Sequence, residues 1–454
     1  MCGIIAVLRG QESREPLTLE VILPRLSSAV TLLESALGDS ENISTHITQA
    51  GDSLAETDKA LRTVPGISML VFDRSSALAI QGETLRAKQA LETIDKHLDH
   101  SSTDLEQLNS SLVQVRDSLW AIERDHLRTA EAIIELAGGT PDSNSLPGLM
   151  SIQTALSALD RLEVRGRDSA GIEVFVANHN LPASVLEGPR FKDLVLRSGA
   201  IRDCGGHIAF IYKNAVEIGD LGDNSQVIRA AIRGDEILQE ALLGPEATVA
   251  VLGHTRWASV GVISEANAHP VDSQETGSND KPYVSAVLNG DIDNYMDLTE
   301  LENLSIAPEI TTDAKIIPPL ISRKLASSAS DLEAFRATVS TFEGSMAIAS
   351  HTAEQPHKLS LALRGSGQAI YVGIADNSYI VASEPYGVIE NASRWLRMDG
   401  EKPADPSNPI SSAGQIIQLD ATAAGNLAGI TRLAYDGTEL PVREDEITTA
   451  DITT

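Results

Sequence analysis

The opening residues constrain this chain more than any other stretch. Cys2-Gly3 leads into Ile4-Ile5-Ala6-Val7-Leu8, an uninterrupted apolar run that reads as a short buried strand. The texture then changes abruptly, and from about Arg9 to Leu146 the sequence carries the period of amphipathic helices. From about Leu149 it becomes mixed α/β. A strand cut off in this way predicts a helical hairpin or bundle inserted into another fold.

Four apolar stripes define the inserted block. Leu26, Ala29, Val30, Leu33 and Leu37 form the first, stopped by Gly38 at the C′ position. Ile43, Ile47, Ala50, Leu54 and Leu61 form the second, ended by Pro65-Gly66. Leu85, Leu91, Ile94 and Leu98 form the third. The fourth, Leu105, Leu108, Leu112, Val115, Leu119 and Ile122, alternates by three and four residues, the period of a coiled-coil seam. Thr103 with Glu106 supplies a capping box, and Gly138-Gly139 a stop. These faces predict a self-packed bundle, with a homo-oligomer seam as the second reading.

Beyond the block, a helix is expected over 149–163. Strands are expected over 171–177, 207–212, 247–253, 283–289, 345–350, 369–374, 379–382 and 415–419. This is a strand-rich layered fold rather than a βαβ series. Residues 436–454 are acidic and read as a solvated linker or tail.

Composition narrows the function classes. With 35 basic against 64 acidic side chains the formal charge is −29, which argues against nucleic-acid and anionic-membrane partners. No run approaches the ~18 apolar residues of a spanning helix, and no secretory leader is visible. Cys2 and Cys204 are too few for a disulfide framework or a zinc ribbon, which fits a reducing, cytoplasmic home. His97 and His100 complete no metal-ligand set, and Gly365-Ser366-Gly367 lacks the lysine of a phosphate loop. No metal or cofactor is expected.

Cys2 is the most informative residue. Removal of Met1 before a small side chain would leave a thiol and a free α-amine on one residue. Their ordinary pKa values of ~8.5 and ~7.7–8.0 let the amine accept a proton as the sulfur attacks a carbonyl. Taken alone, Cys2 reads equally as an incidental buried thiol.

Five further motifs follow in order: Arg161-Leu-Glu-Val-Arg165-Gly-Arg-Asp168-Ser169-Ala-Gly171, Gly253-His-Thr-Arg256-Trp257-Ala-Ser259-Val-Gly261, Ser264-Glu-Ala-Asn267-Ala-His269-Pro270, Leu288-Asn289-Gly290-Asp-Ile-Asp-Asn294 and Thr311-Thr-Asp313. The series resembles the class II, N-terminal-nucleophile glutamine amidotransferases. It is most similar to the glutaminase domain of glucosamine-6-phosphate synthase. The resemblance covers residues 2–8 and about 149–430.

That resemblance implies an α+β fold, a four-layer α/β/β/α Ntn-hydrolase sandwich. Its glutaminase domain would comprise 1–8 and 148–435, with 9–147 as the inserted helical bundle and 436–454 leading toward a sugar-isomerase half. It implies hydrolysis of L-glutamine, with Cys2 as nucleophile and Asn289 and Gly290 as oxyanion donors. Arg256 would grip the substrate carboxylate and Asp313 its ammonium. Trp257 and Ser259 would lie on the closing loop, and Arg165 would order the N-terminus. The ammonia would pass to a phosphosugar-isomerase domain or subunit that aminates fructose 6-phosphate.

Plainer readings stay open on the residues alone. Arg256 suits a surface ion pair, Asn289-Gly290 a type I′ turn and Asp313 a helix cap. His254 and His269 read as structural hydrogen-bonders. Three positions depart from the family pattern: Arg167 stands for an aromatic, Ser259-Val260 for Thr-His, and Leu288 for the histidine of His-Asn-Gly. Val260 and Leu288 therefore admit an inactive regulatory or assembly module, and a purine-type amidotransferase is the other alternative.

Overall fold

The computed structural model describes residues 2–39, 42–98, 105–164, 166–215, 220, 222–277, 281–402 and 413–450, with backbone alone at 105–107. The chain divides into two compact units. One comprises the N-terminal segment through Gln11 with Pro147–Thr449, and the other comprises Glu12–Leu146.

The second unit is helical: α1 (Leu19–Ala36), α2 (Ile43–Leu61), α3 (Val64–Phe72), α4 (Arg74–Leu98), α5 (Leu105–Trp120) and α6 (Arg128–Leu136). A π-helical stretch, Ala121–Leu127, joins the last two. Helix α1 packs on α2 and α4, and α2 packs on α5. The second stripe is buried throughout, as are Leu108, Leu112, Val115, Leu119 and Ile122 of the fourth. The first stripe ends on Ala36, with Leu37 only half-buried.

The third stripe needs correcting. Leu85 is 57% exposed, and the buried seam of α4 instead passes through Ile80, Thr84, Ala87, Leu91, Ile94 and Leu98. Small residues at 84 and 87 hid that face from a search for large apolar side chains. Pro65-Gly66 does not end a helix. It opens α3, where Thr63 Oγ1 caps Gly66 N–H at 3.1 Å. Gly138 and Gly139 do stop α6: their N–H groups bond Glu135 and Ile134 carbonyls, with Gly138 at φ +73°, a Schellman end. The capping box at Thr103 and Glu106 lies outside the described side chains.

In the first unit, α7 (Leu146–Leu162), α8 (Asp223–Arg233), α9 (Glu236–Ala241), α10 (Tyr295–Leu301), α11 (Ile317–Ala326) and α12 (Asp331–Val339) flank the sheets. The described strands are β1 (Gly3–Arg9), β2 (Ser169–Ala177), β3 (Ile201–Asp203), β4 (His207–Asn214), β5 (Thr248–Arg256), β6 (Val271–Asp272), β7 (Val284–Gly290), β8 (Met346–Thr352), β9 (Lys358–Arg364), β10 (Tyr371–Ala375), β11 (Ser378–Ala382), β12 (Arg394–Arg397), β13 (Gln415–Asp420), β14 (Ile430–Leu433) and β15 (Ile447–Thr449). They form two antiparallel sheets in the orders β15-β12-β10-β11-β1-β5-β2-β4-β3 and β14-β13-β9-β8-β7-β6.

The sheets pack face to face through Ile4, Ala6, Leu8, Leu252, Val287, Leu361 and their neighbours. On the outer face of the smaller sheet, Ala286, Leu288 and Ile348 pack on Ile317, Leu320 and Phe335. On that of the larger, Ile5 and Leu159 of α7 flank Gly253. The result is an α+β four-layer α/β/β/α sandwich. Strand β1 lies between β11 and β5. Both its faces are covered, which is why it reads as an unbroken apolar run.

The described part of the acidic tail is largely exposed and includes one short strand. Residues 447–449 extend the large sheet along β12, and Arg432 pairs with Glu446 at 2.8 Å. Three β-branched residues, Ile447, Thr448 and Thr449, form this short edge strand.

Candidate active site

Period-two alternation assembles the site. On β1 and β5, Ile4, Ala6, Ala250 and Leu252 face the second sheet. The same phase carries Cys2, His254 and Arg256 inward, and on β7 it carries Val287 and Asn289. Gly3 pairs with Thr255, so Cys2 lies opposite Arg256. Polar side chains thus take over from apolar ones at one end of the inter-sheet layer.

Cys2 Sγ sits against the backbone of Trp257, accepting from its N–H at 3.2 Å and donating to its carbonyl at 3.4 Å. Burial pushes the thiol above its ordinary pKa, against the lowering influence of the Trp257 contact and Arg256. The Trp257 ring is 60% exposed.

Asn289 is buried and satisfied at both ends. Its Nδ2 donates to the Cys2 carbonyl at 3.0 Å, and its Oδ1 lies 2.9 Å from His254 Nε2. One Nδ2 hydrogen remains for a ligand. Gly290 is no hairpin turn: it ends β7, opposite Met346. Its φ is +87°, and an added Cβ would stand 2.0 Å from the Ser345 carbonyl, so only glycine fits.

Arg256 is 3% exposed, which excludes the surface ion pair. Its Nη2 donates to Val260 O and its Nη1 to Val262 O, at 3.4 Å for the latter. Three of its five donors are left over, and no carboxylate among the described residues lies in ion-pair range. Asp313 is buried and accepts from Ile292 N–H at 2.9 Å. Thr312, not Asp313, holds the cap position of the turn that follows. Burial raises the Asp313 carboxyl's pKa, with Asp291 adding to the effect. A cationic ligand would relieve both.

Ser259 Oγ donates to Asp291 Oδ1 at 2.6 Å. Val260 contributes through its carbonyl. Leu288 faces the helical layer, so its side chain takes no place in the site. Arg165 lies outside the described residues.

Three residues hold the backbone around the site in place. Asp168 accepts from Ala258 N–H at 2.8 Å, anchoring the loop after β5. Asn267, fully buried, accepts from Thr311 and Thr312 N–H at 2.7 and 3.0 Å and so holds the segment presenting Asp313. Asp291 anchors Ser259. Each stands inside a motif already quoted, and for Asn267 and Asp291 only spatial neighbours reveal the task.

No protein-family model matches the chain. Glutamine--fructose-6-phosphate aminotransferase [isomerizing] of Bacillus cereus is 30% identical over 244 residues, covering 54% of this chain and 32% of that enzyme. The Clostridium tetani enzyme of the same name is 29% identical over 253 residues, with the same shares covered. Over about half its length, then, the chain is a relative of these aminotransferases, and it spans about a third of their length. Among solved structures, the glutamine phosphoribosylpyrophosphate amidotransferase of Bacillus subtilis aligns at TM-score 0.40 and 17% identity, over 63% of this chain and 47% of that one.

Proposed function

We propose that this chain is a glutamine amidotransferase that hydrolyses L-glutamine to glutamate and ammonia. Its catalytic domain comprises residues 1–8 and 148–435, with 9–147 as an insertion. The observation that carries the reading is the convergence of Cys2, Arg256, Asn289, Gly290 and Asp313 at one end of the inter-sheet layer.

With Met1 removed, the Cys2 amine takes the thiol proton as sulfur attacks the side-chain amide carbon of glutamine. The oxyanion forms against Asn289 Nδ2–H and Gly290 N–H. Collapse of the intermediate returns the proton to nitrogen, releases ammonia and leaves a glutamyl thioester. Water, deprotonated by the same amine, then cleaves it. The spare guanidinium donors of Arg256 bind the α-carboxylate and Asp313 binds the α-ammonium. Trp257 and Ser259 close over the substrate, and Arg165 orders the N-terminus.

The acceptor we assign to the ammonia is fructose 6-phosphate, handled by a phosphosugar-isomerase domain or subunit; the named aminotransferases extend about two-thirds beyond the matched part. No helix among the described residues is long and apolar enough to cross a membrane. Two free cysteines suit a reducing cytoplasm.

The test is ammonia release from glutamine, with and without fructose 6-phosphate and an isomerase partner, alongside the protein's intact mass. The reading expects Met1 to be absent and a glutamine-analogue electrophile to label Cys2. Retained Met1 with no labelling would instead identify an inactive module.

A further inference from the structure

His254 and His269 are both fully enclosed, with ring centroids 4.5 Å apart. Burial lowers the pKa of His254 to about 3 and that of His269 well below its ordinary value, so both rings are neutral. Each neutral ring carries one N–H, and the partners decide which nitrogen holds it.

His254 Nε2 faces Asn289 Oδ1 at 2.9 Å. That oxygen can only accept, because Asn289 Nδ2 is committed as donor to the Cys2 carbonyl. His254 is therefore the Nε2–H tautomer, and it fixes which end of the Asn289 amide meets the substrate. His269 Nδ1 accepts from Leu288 N–H at 3.3 Å, which leaves its proton on Nε2. Nε2 lies 3.2 Å from Thr312 Oγ1, and that hydroxyl then donates to Asp313 Oδ1 at 3.4 Å. One histidine leads to the oxyanion donor, the other to the ammonium acceptor.

We propose that His254 and His269 are positioning residues with separate tasks. His254 holds Asn289 for the developing oxyanion, and His269, through Thr312, holds Asp313 for the α-ammonium. The inference deepens the glutaminase reading and rests on it.

The two tasks separate in kinetics, because oxyanion contacts act on kcat whereas ammonium contacts act on substrate capture. His254→Leu should lower kcat ~10–100-fold and leave KM within about twofold, with His254→Gln recovering part of the loss. His269→Leu and Thr312→Val should raise KM for glutamine ~10-fold and leave kcat within about twofold. The sharper arm uses glutaramic acid, the glutamine analogue without an α-amino group. Toward it the His269→Leu and Thr312→Val penalties should vanish, while the His254→Leu penalty persists. Thr312→Val and His254→Gln carry the test if a leucine variant fails to fold. Equal losses on both substrates for His269 and Thr312 variants, or a His254→Leu enzyme with wild-type kcat, would overturn the assignment alone. A wild-type protein that releases no ammonia from glutamine would overturn it together with the glutaminase reading.

Discussion

The helical unit and the sandwich treat buried polar groups differently. Among the helices, Thr57 and Thr84 donate to carbonyls one turn back, and Asp58 takes Arg62 one turn on at 2.7 Å and His126 at 2.6 Å. In the sandwich, Asn289 bonds Cys2 and His254, partners 287 and 35 residues away, and Asn267 reaches Thr311 and Thr312. Apart from the His126 contact, the first arrangement needs only helical periodicity to form. The second needs the whole fold, since its partners are far apart in sequence and meet only where strands and loops pack, out of reach of water. The candidate site lies where satisfaction is most non-local.

The largest effect expected from breaking this contrast is at Cys2. Cys2→Ala should lower glutamine hydrolysis by at least ~10³-fold while circular dichroism and the unfolding midpoint stay unchanged. Wild-type turnover in that variant would end the proposed chemistry. Arg256→Lys keeps the charge but loses the planar fork. It should raise KM for glutamine roughly 10–100-fold in a steady-state assay, against little change in kcat.

The helical unit should respond in stability rather than catalysis. Leu112→Ala empties a position 3% exposed and should cost ~2–5 kcal/mol in urea unfolding, with kcat retained.

Glu173 sharpens the comparison from the other side. It is enclosed on β2, accepting from Tyr283 and Ser285 hydroxyls at 2.5 and 2.7 Å. Burial raises its pKa to about 7. Above the unfolded value of ~4.3 the native carboxyl keeps a proton that the unfolded chain has lost, so stability drains away as pH rises. The loss is complete above about pH 7. Glu173→Gln should therefore stabilise the protein by ~1–3 kcal/mol at pH 8 and by almost nothing near pH 4, read by chemical denaturation at both pH values. The smallest effect belongs to Leu85→Ala, which faces solvent and should stay within ~0.5 kcal/mol.

Much of this was legible beforehand, for a physical reason. Helical stripes and the buried strand β1 are local patterns, because a face that is covered throughout must be apolar throughout. The strands expected over 171–177, 207–212 and 247–253 appear as β2, β4 and β5, each slightly longer. Strands β3, β6, β12, β14 and β15 went unseen. They are two to four residues long, too short for a period-two pattern to show in the sequence. Strand β9 was missed as well, although Leu359, Leu361 and Leu363 alternate along it.

At the site, the ordered motifs were enough to name Cys2, Arg256, Asn289, Gly290 and Asp313 as candidates. Three matters waited for tertiary structure. Leu288 faces the helices, so losing the family's histidine there takes nothing from the inner face. Val260 acts through a carbonyl that any residue would supply. The hydrogen-bond order of His254, His269 and Thr312 depends on two strands and two loop segments meeting. A sequence fixes which donors and acceptors exist, because those are covalent; only packing fixes which of them lose water together and must therefore bond to each other.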